Sequence, residues 1–178
     1  MSRRLREESA RLLEEYLQHS LDAGGERRAE PSTPAGRTLR IIAGEMLDRN
    51  RTFYEQCCQQ LSGRPADILR CVAAKVMEDG ALNWGRVVSI ITFTGTLAQW
   101  AKANGTGTPK ELAEVLSHFL AEEHGDWMES NGGWNGFHEH FCNNKAAHPA
   151  RENNAVSGAL MAVAGVGLAG LAFLLAVR

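Results

Sequence analysis

The segment from Asn83 to Lys102 constrains this chain more than any other. Val87, Val88, Ile90, Ile91, Phe93, Leu97 and Trp100 are spread around a helical circumference, with Ser89, Thr92, Thr94 and Thr96 as the main polar relief. A helix that is apolar on nearly every side has no face to give to water, so it belongs inside a bundle. Asn83 stands where an N-cap is needed. The remaining helices must then be amphipathic and wrap around it. No long stretch alternates with period two, which predicts an all-α domain over residues 1–142.

The covering helices can be read from their stripes. Leu5, Leu12, Leu13, Tyr16 and Leu17 share one face, opposite arginines and glutamates. Residues 22–36, rich in Gly, Pro and charge, predict a flexible loop. Leu39, Ile42, Met46, Phe53, Cys57 and Leu61 keep a three-to-four spacing that predicts one helix, ended by Ser62-Gly63-Arg64-Pro65. Ile68, Leu69, Val72, Val76 and Met77 predict a shorter one, stopped by Asp79-Gly80. Thr108-Pro109-Lys110-Glu111 is a capping box with proline at the first helical position, and Leu112, Val115, Leu116, Phe119 and Leu120 form the stripe behind it. Trp127, Trp134, Phe137 and Phe141 predict two short helices divided by Asn131-Gly132-Gly133.

Beyond this domain the composition changes. Residues 143–154 are polar and read as a linker, and Ala155 to Val177 carries no charge. As a helix at about 1.5 Å per residue, that run spans about 35 Å, enough for a hydrocarbon core of about 30 Å. It predicts a C-terminal transmembrane helix. Its Gly165-Val166-Gly167-Leu168-Ala169-Gly170 matches a dinucleotide fingerprint in letters only, because the strand before it and the acidic residue well beyond it are missing. Small residues at Gly158/Ala162 and Gly165/Ala169 suit close packing of membrane helices instead. The N-terminus lacks the apolar core of a secretory signal. The chain is therefore expected to be held by its tail with the domain facing the cytosol.

Several function classes are excluded by what the chain carries. A net charge of −2, with no basic stripe, argues against a nucleic-acid partner. Cys57, Cys58, Cys71 and Cys142 show no metal-type or disulfide-framework spacing. His138 and Cys142 could converge on a helix, but no further ligands accompany them, so no metal is expected. Nucleophile motifs, phosphate loops and HExxH are absent. No cofactor, no catalytic residue and no enzymatic activity are expected.

One constellation remains. In Asn83-Trp84-Gly85-Arg86, Gly85 lets another backbone come close and Arg86 stands beside an apolar surface, where it can pair with an incoming carboxylate. Internal pairing with Asp79 or Glu78 is equally compatible with the spacing.

These residues carry a resemblance. Asn83-Trp84-Gly85-Arg86-Val87-Val88, followed by Phe93-Thr94-Gly95-Thr96-Leu97, resembles Bcl-2 homology region 1. Trp127-Met128-Glu129-Ser130-Asn131-Gly132-Gly133-Trp134-Asn135-Gly136-Phe137 resembles region 2. The helix from Leu5 to Gln18 is similar to region 4. Leu39 to Met46 resembles region 3 in its hydrophobic spacing, with Gly44 where the family usually has aspartate. Order, separation and the apolar tail match as well, so the resemblance covers essentially the whole chain. The short first loop and the Arg11 to Leu17 run look most like the Bcl-2-like protein 10 branch of the family.

The resemblance implies a helical bundle around a central hydrophobic hairpin, about Trp84 to Lys102 and Pro109 to Glu123. It further implies a groove for the region 3 helices of pro-apoptotic relatives. Carried over by position, the groove would comprise Met46, Phe53, Val72, Val76, Asn83, Gly85, Arg86, Val87, Val88 and Phe93, with Arg86 meeting the partner's aspartate. The expected function is anti-apoptotic: sequestering those helices and restraining permeabilisation of the mitochondrial outer membrane. The alternatives are a pro-apoptotic pore former, or a regulator of calcium release at the endoplasmic reticulum. In the latter, the N-terminal helix, through Leu5, Leu12, Leu13, Tyr16 and Leu17, contacts the inositol trisphosphate receptor. The expected location is the mitochondrial outer membrane, the endoplasmic reticulum membrane or both.

Overall fold

The computed structural model describes residues 3–22, 29–78 and 81–146, and every regular element among them is helical. The tail predicted at 155–177 and the linker beyond residue 146 lie outside the described residues. Eight α-helices follow one another: α1 (Arg3–Leu21), α2 (Pro34–Arg49), α3 (Arg51–Gln59), α4 (Pro65–Met77), α5 (Trp84–Ala103), α6 (Pro109–His118), α7 (Gly125–Ser130) and α8 (Gly133–Ala146). A π-helical turn, Phe119–Glu123, prolongs α6.

The apolar helix is the centre of the bundle, as its composition requires. Fifteen of the twenty residues of α5 are buried, and α1, α2, α3, α4 and α6 all pack against it. Its threonines are tolerated there because each returns its hydroxyl to its own helix. Thr92 donates to the Val88 carbonyl at 2.8 Å, Thr94 to Ile90 at 2.7 Å and Thr96 to Thr92 at 3.2 Å. Among the described residues, no helix is long and apolar enough to cross a membrane.

Helix starts follow the local chemistry. The Thr108 hydroxyl accepts from the Glu111 N–H at 3.1 Å, as the capping box predicts. Thr33 does the same for Gly36 at 3.1 Å, with Pro34 at the first helical position. The loop expected to run through Gly36 therefore ends earlier, because Thr33-Pro34 is itself a start signal. At the other end α8 continues to Ala146, so residues 143–146 are helical although the linker was expected to begin there.

The single helix expected from Leu39 to Leu61 is two. Asn50 ends α2: its backbone N–H reaches the carbonyls of Met46 and Leu47, and its side-chain amide donates to Met46 at 2.9 Å. An asparagine that competes for backbone carbonyls in this way favours a break. The break resets the helical phase. Tyr54 and Cys57 become the buried residues of α3, each 1% exposed, while Phe53 and Leu61 are only partly buried against the core.

Candidate functional site

Asn83 and Arg86 fix the start of α5. The Asn83 side-chain oxygen accepts from the Arg86 N–H at 2.9 Å, which places the arginine in the first turn. Arg86 is only 6% exposed. A cation in that turn opposes the helix macrodipole, and burial adds a desolvation cost. The same position favours an anion beside it, since guanidinium and helix N-terminus then act together. Of the two internal acids considered for Arg86, Glu78 pairs with Lys75 and is 62% exposed, whereas Asp79 lies outside the described residues.

Trp84 anchors this turn. Its ring meets Trp127 edge-on at 4.7 Å and Phe137 at 5.5 Å, and Phe137 in turn contacts Trp134 at 5.6 Å and Phe141 at 5.0 Å. The two sequence motifs are thus one structural unit. The aromatic residues of α7 and α8 hold the N-terminus of α5, and with it Arg86. Gly136 belongs to the same unit, because a Cβ there would lie 1.8 Å from the Asn131 carbonyl oxygen.

Around this anchor the structure collects the expected groove residues from α2, α3, α4 and α5. Met46, Val72, Val76, Val87, Val88 and Phe93 are all buried in one hydrophobic cluster, and Phe53 packs against it. Gly85 is buried with Arg86. α3 and α4 each lie against α5, so they flank the same central helix from separate positions. Tyr54, Cys57 and Leu69 belong to the cluster too. Sequence reading passed over Tyr54 because its burial depends on the phase reset at Asn50, for which Asn50 itself is the available signal.

Burial governs the titratable groups of this region. It pushes the Cys57 thiol up to about 12 and the Cys58 thiol to about 11. It also raises the Tyr16 phenol to about 12 and the Tyr54 phenol well above its ordinary value. All four are therefore neutral at physiological pH. Among the described residues, no group of three metal-ligating side chains converges.

The N-terminal helix requires a correction. Leu5, Leu12, Leu13, Tyr16 and Leu17, expected as a contact surface for a partner, are at most 7% exposed. They attach α1 to the bundle, because an apolar stripe on a docked helix is used up by docking. The outward face of α1 is polar and mostly charged instead, and includes Arg3, Arg4, Arg6, Glu7, Arg11 and Glu14.

A buried central helix, an N-cap that sets Arg86 in its first turn and an aromatic clamp from the last two helices define a helical bundle built around one apolar helix. The chain belongs to the Bcl-2 family: residues 39–134 match the family described as apoptosis regulator proteins, Bcl-2 family. It is 44% identical to the anti-apoptotic protein NR13 of Gallus gallus over 178 residues, covering 98% of both chains. It is 31% identical to Bcl-2-like protein 10 of Homo sapiens over 157 residues, covering 77% of this chain and 76% of that one. Among solved structures, the zebrafish pro-survival protein NRZ in complex with Bad BH3 superposes with a TM-score of 0.70 at 34% identity. That match covers 77% of this chain and 94% of NRZ.

Proposed function

We propose that this protein is an anti-apoptotic regulator that takes the region 3 (BH3) helices of pro-apoptotic relatives into the surface formed by α2, α3, α4 and α5, and so restrains permeabilisation of the mitochondrial outer membrane. The observation that carries this reading is Arg86, a buried cation in the first turn of α5, where an incoming carboxylate gains from both guanidinium and helix N-terminus. Phe53 is partly exposed, whereas Met46, Val72, Val76, Val87, Val88 and Phe93 are at most 6% exposed in the closed bundle, so they would meet the i, i+3/i+4, i+7 anchors of an amphipathic helix once α3 gives way. NRZ, a pro-survival protein of related sequence and the same fold, is seen with Bad BH3, which supports the assignment. The apolar run at 155–177 would anchor the protein in the mitochondrial outer membrane or that of the endoplasmic reticulum, with the domain facing the cytosol. Contact of α1 with the inositol trisphosphate receptor would use its outward charged face.

Titration of a fluorescent Bad BH3 peptide with the full chain tests the reading. Saturable binding is expected, and Arg86→Ala should weaken it about tenfold to a hundredfold, the range for a hydrogen bond to a charged group. Absence of saturable binding, or unchanged affinity in the variant, would overturn it.

A further inference from the structure

α3 is lightly secured to the bundle. Of its nine residues only Tyr54 and Cys57 are buried, and no side chain caps its N-terminus. One of those two anchors is itself imperfect. Tyr54 is 1% exposed, yet its hydroxyl is buried without a hydrogen-bond partner. A buried hydroxyl that has lost water and gained nothing opposes the docked position of the helix that carries it.

Ser89 on α5 is a second hydroxyl in the same condition. The two differ in what their helices can do about it. α5 is fixed by fifteen buried residues, whereas α3 is held by two. Only α3 can move at modest cost, and its displacement would carry the Tyr54 hydroxyl to water or to a polar group of an arriving helix.

We propose that Tyr54 is a positioning residue that sets how readily α3 yields when a partner helix enters the groove, its unmet hydroxyl holding the closed state of α3 shallow. The inference rests on the groove reading above. Phenylalanine at position 54 would keep the ring and its edge-on contact with Phe53, at 5.5 Å between centroids, and remove only the unmet group. The closed state would then be more stable and the open, helix-accepting state rarer. Apparent affinity falls in proportion to the population of the competent state.

The test uses the full chain as Tyr54→Phe and Ser89→Ala, with the fluorescent Bad BH3 peptide, thermal unfolding and amide hydrogen exchange across residues 51–59. Tyr54→Phe should raise Tm, slow exchange in α3 and weaken peptide binding about fivefold to thirtyfold. Ser89→Ala should raise Tm and leave affinity unchanged, since its hydroxyl belongs to a helix that stays in place. A structural role alone would raise Tm in both variants and weaken binding in neither. Wild-type affinity in Tyr54→Phe, or equal weakening in both variants, overturns the inference alone. Failure of the unmodified chain to bind overturns the groove reading and the inference with it.

Discussion

The indole N–H of Trp134 donates to the hydroxyl of Ser9 at 2.9 Å in the interior of the bundle. Ser9 is 0% and Trp134 1% exposed. One polar bond therefore fastens α8 to α1, and it places a serine within a leucine stripe without leaving a polar group unsatisfied.

Ser9→Ala should destabilise the fold by about 1–3 kcal/mol, because the indole N–H would then be buried without an acceptor. Thermal unfolding should show Tm lowered by about 2–12 °C, at about 2–4 °C per kcal/mol for a chain of this size. An unchanged Tm would mean that the indole finds another acceptor.

Two glycines on buried and open helix faces should respond oppositely to alanine. A Cβ on Gly95 would sit 3.0 Å from the Ser20 Oγ and 3.1 Å from two atoms of Tyr16. Gly95→Ala should therefore push α1 from α5 and cost about 1–3 kcal/mol. Nothing lies within 4 Å of a Cβ on Gly44, and in a helix interior Gly44→Ala should add about 0.5–1 kcal/mol. Urea unfolding of both variants checks the pair.

Gly44 also bears on what α2 can do as a ligand. A peptide spanning Thr38 to Asn50 lacks the carboxylate that a groove arginine would meet, so it should bind the NRZ groove weakly. Gly44→Asp in that peptide should tighten binding about tenfold or more. Tight binding by the unmodified peptide would contradict the importance given to that carboxylate.

Stability should fall at alkaline pH. Cys57, Cys58 and Tyr16 have folded pKa values raised to about 12, 11 and 12 from ordinary values of 9.0, 9.0 and 10.0. Above about pH 9 the unfolded chain therefore loses protons that the folded one keeps, and the stability they contribute declines as pH rises toward 12. Tm measured from pH 7 to 10.5 should drop, and less steeply in Cys57→Ala. A flat profile would show these groups to be as accessible folded as unfolded.

Much of this architecture is legible in residue order. The all-round apolarity after Asn83 requires a buried central helix, and the Thr108 and Asn83 caps are readable because both act within one turn. The capped Arg86 is local in the same sense. The extent of α2 and α3 is less legible, since a continuous hydrophobic period across Asn50 hides a break set by that residue's own hydrogen bonds. Spacing alone also cannot tell a stripe that binds a partner from one already spent on docking, and the five α1 residues are spent.

The helical class, the central helix and the motifs that carry the family follow from residue order, because periodicity and capping act over a few residues. Packing, in contrast, sets Trp84 against Trp127 and Phe137, brings Ser9 to Trp134, and leaves α3 hanging on Tyr54 and Cys57. Those pairings join residues far apart in the chain. They depend on which faces meet once the helices are packed, and hydrophobic spacing along one helix carries no record of the face opposite.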